Sequence, residues 1–167
     1  VIRTVRGAVA SFTPHFIHVD QERCWNLLVR LSEDSSAYVR MMAIRSIEPY
    51  ARARQYLAAI MELLLSGGWG SRGLLNDESP AVRYMALRLA FYQLVGSPKA
   101  MDRLYEPMRD ALDDSNAEVR TEAAERVLDA VARSRDTRYL ELLKRLIDVG
   151  ATEQRSAVAF RIRSYME

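Results

Sequence analysis

One cysteine, two histidines and two lysines in 167 residues leave little from which to build a reactive centre. A single thiol, Cys24, excludes an internal disulfide and fits a reducing compartment. His15 and His18 stand three apart beside Asp20, Glu22 and Cys24, a spacing at which two imidazoles can share a metal. Thr13-Pro14 marks a helix start at that point, however, and a closed site would need carboxylates to complete it, so no metal is expected. Both histidines and the thiol fall in one short segment, which leaves no Ser-His-Asp or Cys-His triad to assemble. The expectation is a chain that is not an enzyme, with no catalytic residue, cofactor or small-molecule substrate. Long apolar runs are also missing: the longest, Leu57 to Leu65, is broken by Glu62 and falls far short of a bilayer. No membrane partner is expected. The opening Val-Ile-Arg-Thr-Val-Arg lacks an initiator Met and the apolar core of a signal peptide, so the chain reads as part of something longer and as intracellular, in the cytoplasm.

Neither sign of charge dominates. Twenty-four basic residues face 22 acidic ones for a net charge of +2, so no global field draws the protein to nucleic acid. The basic residues are nearly all Arg, with Lys99 and Lys144 the exceptions, and Arg pairs with carboxylates and phosphates through two parallel bonds where Lys cannot. What the chain does have is 49% hydrophobic composition, enough to bury the core of one domain or one continuous array.

It also has a repeat. Asp34-Ser-Ser-Ala-Tyr-Val39-Arg40, Asp77-Glu-Ser-Pro-Ala-Val82-Arg83 and Asp114-Ser-Asn-Ala-Glu-Val119-Arg120 share one frame, with Ala43, Ala86 and Ala123 three residues after each Arg. The Arg residues lie 43 and 37 positions apart, the length of a helical hairpin stacked on its neighbours. Ser36, Ser79 and Asn116 occupy one column and are expected to cap the second helix of each hairpin through their side chains. Behind them run apolar columns at helical spacing: Val39, Met42, Ala43 and Ile47; Val82, Met85, Ala86 and Leu89; Val119, Ala123, Val127 and Val131. The first helices are expected at Asp20 to Leu31, Arg54 to Leu65 and Met101 to Leu112, with Trp25, Leu28, Ile60, Leu64, Leu104 and Met108 inward and a bend at Pro107. Degenerate copies of the frame flank these, at Arg6 and at Arg155, neither preceded by Asp. The expected organisation is all-α: a right-handed solenoid with a half repeat at 2–12 and full hairpins at about 15–50, 52–96, 98–133 and 136–165, nine helices in all. Ser66-Gly-Gly-Trp-Gly-Ser-Arg-Gly73 is an insertion whose glycines cannot continue a helix, and it lacks the preceding strand and the Lys of a phosphate-binding loop.

Leu-x-x-Asp, a capped turn, Val-Arg-x-x-Ala and the proline at Pro107 together resemble the HEAT repeat family, well over about residues 20 to 133 and loosely at both ends. The resemblance implies that first and second helices line the convex and concave faces of a superhelix. It also implies a ladder of hydrogen bonds between neighbouring repeats, here Asp34, Asp77 and Asp114 with Arg40, Arg83 and Arg120. Helix-dipole and charge-assisted bonding arguments favour the same pairings. A second Arg column, Arg45, Arg88, Arg126 and Arg161, lies five or six positions after the first and points elsewhere on the helix. With Trp69 and Arg72 of the insertion it forms the candidate partner-binding set, interleaved by Glu48, Glu122 and Glu125. The expected function is a scaffold or adaptor that presents a concave helical surface to a protein partner or larger assembly. The runner-up is a nucleic-acid groove like that of the HEAT-like alkylpurine DNA glycosylases, lined by that Arg ridge.

Overall fold

A computed structural model describes residues 2–16, 19–66, 73–96, 98–133 and 136–166. Among them the chain is helical without a strand. In order, the α-helices are α1 (Ile2–Phe12), α2 (Gln21–Leu31), α3 (Ala37–Ile47), α4 (Leu57–Leu65), α5 (Pro80–Gly96), α6 (Pro98–Ala111), α7 (Ala117–Arg133), α8 (Arg138–Val149) and α9 (Thr152–Met166). Short 3-10 turns occupy Thr13–Phe16, Glu48–Arg52, Arg54–Tyr56 and Leu74–Asn76. None of the described helices is long and apolar enough to cross a membrane. The chain divides into two compact units, Val1–Leu89 and Ala90–Glu167, with the boundary inside α5.

In the first unit α2 packs on α3, and α1 packs on α3 as well. Ala10, Leu31, Val39 and Ala43 form one buried cluster with Met42 against it. Burial on α3 is wider than a single apolar stripe: Ile44 and Ser46 are buried along with Val39, Ala43 and Ile47. A helix covered on two sides needs two apolar faces, and the expected column supplied only one. The second side of α5 and α7 is also buried, at Leu87 and Ala90 and at Ala124 and Leu128.

Helix α4 starts at Leu57, three residues later than its pattern suggests, because Arg54–Tyr56 forms a tighter turn. That turn carries Tyr56 against Trp25 of α2, with ring centroids 4.6 Å apart, and Tyr50 closes the cluster at 5.5 Å from Trp25 and 5.0 Å from Tyr56. Trp25 is half-buried here, clamping α2 to the irregular connection behind α3. Past the inserted segment the chain re-enters at Gly73, where a Cβ would fall on the backbone carbonyls of Leu64 and Leu65. Only glycine lets the backbone pass so close to the end of α4.

In the second unit α6 packs on α7, α8 packs on α7, and α7 packs on α9. The core here is built by Leu104 and Met108 of α6, Val119, Ala123 and Val127 of α7, Leu142 and Leu146 of α8, and Val158 of α9. Helix α6 runs unbroken through Pro107.

Candidate interaction site

The Asp-Val-Arg frames fold into one local device used three times. Asp34 Oδ1 accepts from the amide of Ser36, Asp77 Oδ1 from Ser79 and Asp114 Oδ1 from Asn116, each at 2.8 Å. The Arg six residues on reaches back to the carbonyl of its own Asp: Arg40 Nη1 to Asp34 O at 2.8 Å, Arg83 Nη1 to Asp77 O at 2.7 Å, and Arg120 Nη1 to Asp114 O at 2.7 Å. A carboxylate that folds back on an amide two residues later forms a turn of its own. The charged Asp thereby takes over work expected of the next column: Ser36 makes no side-chain cap bond, and its hydroxyl oxygen is buried without a partner. Asn116 does cap, its Oδ1 accepting from Glu118 and Val119 at 3.0 and 3.2 Å.

Arg40 and Arg120 also reach forward. Arg40 grips Asp77 with two parallel bonds, Nε to Oδ2 and Nη2 to Oδ1, both 2.8 Å. The pair is nearly shut off from water, the two side chains being 9% and 10% exposed. Arg6 of α1 lies 3.2 Å from Asp34 Oδ2 and so joins the row without an Asp of its own. In the second unit Arg120 donates through Nε and Nη2 to a single oxygen, Glu153 Oε1, the Nε bond being 3.0 Å. Glu153 stands in the first turn of α9. Hydrogen bonds from Arg120 and from the Glu153 backbone amide hold its carboxyl below the usual carboxylate range.

The second Arg column is for the most part engaged by acids. Arg88 approaches Glu48 at 3.9 Å. Arg126 Nε lies 2.8 Å from Glu122 Oε1, with the N–H aimed off the oxygen, and Nη1 donates to Asp129 Oδ2 at 2.8 Å. Its guanidinium also sits 5.4 Å from the centre of the Phe91 ring. Arg161 of α9 donates to both oxygens of the same Asp129, at 3.1 to 3.3 Å. Glu122 and Asp129 are buried, so these arginines neutralise interior carboxylates. Arg45 is exposed and makes no ion pair among the described residues. Trp69, Arg72 and His18 lie outside the described residues. His15 sits on the Thr13–Phe16 turn, 6.0 Å from the Phe12 ring. Among the described residues no group of three or more His, Cys, Asp or Glu side chains is arranged to hold a metal ion.

Two features went unseen in the sequence. Gln154, 2% exposed, accepts from the Ala151 amide and donates to Leu112 O, both at 2.7 Å, stapling the start of α9 to the chain just past α6. Its place at the third position of the helix, where Glu or Gln commonly reaches back to the cap, was the available signal. The other is an apolar groove of about 510 Å³ between α1 and α2, walled by Val5, Val9 and Phe12 on one side and by Cys24 and Leu27 on the other. Around the Asp34 and Asp77 turns a second cavity, about 550 Å³, is lined by Glu33, Asp34, Arg40, Asp77 and Glu78.

No family model matches this chain, and no curated protein is similar to it.

Proposed function

We propose that the chain is a short α-solenoid of HEAT-like hairpins that serves as a non-enzymatic scaffold for a protein partner. Two observations support the repeat reading. Second helices pack on second helices in each unit, α1 on α3 and α7 on α9, and one Arg joins its own turn to an acid further along. The observation that carries the functional reading is the open apolar groove on α1 and α2: a contiguous hydrophobic recess on a protein surface marks a place of association. The nucleic-acid reading loses ground by comparison, since Arg88, Arg126 and Arg161, three of the four arginines in its ridge, face Glu48, Glu122 and Asp129.

Purification of the tagged chain from its native cells, with nuclease treatment and a high-salt wash, tests this. A scaffold retains a stoichiometric protein partner through both steps. Release of all bound material by nuclease, together with tight binding of DNA or RNA at physiological salt, would establish the nucleic-acid reading instead.

A further inference from the structure

The groove has two internal counterparts that show what kind of element fills it. Aligned on Arg6, Arg40 and Arg120, the positions Val5 and Val9 of α1 correspond to Val39 and Ala43 of α3 and to Val119 and Ala123 of α7. On α3 and α7 all four are fully buried. In each case the preceding first helix packs there, α2 on α3 and α6 on α7, and Leu31 of α2 sits in the same cluster as Val39 and Ala43. On α1 the same column is bare: Val5 is 55% exposed, and Phe12 at the end of the groove is 62% exposed. The shape left open is therefore that of an amphipathic helix laid along α1 and α2.

Charge narrows the occupant further. Helices α1 and α2 carry Arg3, Arg6, Arg23 and Arg30 against Glu22 and the capping Asp20; Arg6 pairs with Asp34 and Arg23 with Asp20, which leaves Arg3 and Arg30 without an ion pair among the described residues. Arg3 is exposed. A helix whose polar face is acidic meets this rim favourably, and a basic one is repelled. This also disfavours a second copy of the chain, because its exposed apolar helices α8 and α9 carry Arg138, Lys144, Arg145, Arg155, Arg161 and Arg163 against three acids, Glu141, Asp148 and Glu153.

We propose that the groove between α1 and α2 is the docking site for an acidic amphipathic helix of a protein partner, read by apolar anchors at i, i+3 or i+4, and i+7. This deepens the scaffold reading and rests on it. The probe is a fluorescein-labelled synthetic helix of about five turns with leucines at those positions and glutamates on the opposite face, beside a lysine-faced analogue. Titrated against the full chain, the glutamate peptide binds and shifts the backbone amide resonances of Val5, Ala8, Val9, Phe12 and Leu27. Phe12→Glu and Val9→Glu each weaken it by about tenfold or more, since each replaces an apolar wall of the groove with a charge, while Phe160→Glu on α9 leaves it unchanged. The lysine peptide binds more weakly at low salt. Because Val9 and Phe12 are surface residues, both variants keep the wild-type melting temperature, which circular dichroism verifies. Absent peptide binding, binding insensitive to Phe12→Glu, or a dimer in sedimentation equilibrium that Phe12→Glu abolishes overturns the proposal, the last assigning the groove to a second copy. If the native partner survives nuclease and salt in the Phe12→Glu chain, the groove assignment fails and the scaffold reading stands.

Discussion

Within each of the two units an Arg of the Asp-Val-Arg frame reaches an acid further along the chain, and the chemistry differs. In the first, Arg40 and Asp77 form a fork between two nearly buried side chains, and the acid comes from a turn. In the second, Arg120 meets one oxygen of Glu153, with side chains 23% and 36% exposed, and the acid comes from inside α9. The neighbouring Gln154 makes the buried connection there, to Leu112 O. An ion pair removed from water is costly to break because the partner is stranded, whereas an exposed one is screened and worth little. The identical Arg column therefore does different work in the two units: it is a keystone in the first and secondary to an amide in the second.

The sharpest way to break this contrast is to remove each Arg. Arg40→Ala strands Asp77 and also frees the Asp34 carbonyl, and is expected to destabilise by about 3 kcal/mol, read as a shift of the urea midpoint by circular dichroism. Arg120→Ala produces a clearly smaller shift. Arg40→Lys recovers only part of the loss, because an ammonium cannot reproduce the fork. Equal midpoints for Arg40→Ala and Arg120→Ala would remove the distinction between the units.

Gln154→Ala comes next. It leaves the Leu112 carbonyl and the Ala151 amide without their partner in a buried place, at a cost of about 1 to 3 kcal/mol. The loss is expected to exceed that of Arg120→Ala in the same titration. The reverse order would make the ion pair, and not the amide, the main tie between α9 and the rest of its unit.

How far all this could be read in advance follows from the range of each interaction. The Asp-x-x-x-x-Val-Arg frame is local, so its turns and the buried Val39, Ala43, Val82, Ala86, Val119 and Ala123 were legible in the sequence. Arg6 was legible as a degenerate copy of the frame, but its pairing with the downstream Asp34 was not, and Glu153 was not read at all, since it reaches Arg120 with a longer side chain from a different backbone position. The Arg column misled for a similar reason. Its local acids, Glu122 and Asp129, stand at helical spacing from Arg126, but the arrival of Arg161 from 32 residues away on that same Asp129 is a tertiary fact. The groove was invisible because α1 carries the same column as α3, and only packing reveals that none of the described residues lies over it.

A smaller contrast concerns tyrosines, one in each unit. Burial above all pushes the Tyr50 and Tyr139 hydroxyls up to about 12, with nearby Cys24 and Tyr56 adding to the first and Asp136 to the second. A raised acid is held neutral by the fold, so this stability is fully present below the unfolded value near 10 and is lost as pH rises from there toward 12. Absorbance at the tyrosinate band is expected to show Tyr50 and Tyr139 titrating well above the ordinary tyrosine value, with unfolding in the same window. Tyr50 has no partner for its hydroxyl while Tyr139 donates to Leu94 O at 3.4 Å, so Tyr50→Phe costs less than Tyr139→Phe.

The smallest effect lies on the acid side and belongs to the second unit. Arg120 holds Glu153, and Arg138 holds Asp136, below the ordinary carboxylate range through side-chain hydrogen bonds. A depressed carboxylate contributes stability that is fully present above its unfolded value, about 4, and is lost as pH falls through the lower folded value. The urea midpoint is therefore expected to decline as pH drops below about 4. Arg120→Ala removes the hydrogen bonds and the charge that depress Glu153, so the variant starts lower near neutral pH and falls less steeply in acid. The two curves converge where Glu153 is protonated in both proteins. Parallel curves would mean that the half-buried Arg120 pair adds nothing beyond screening, leaving Gln154 as the sole side-chain tie described between the start of α9 and Leu112.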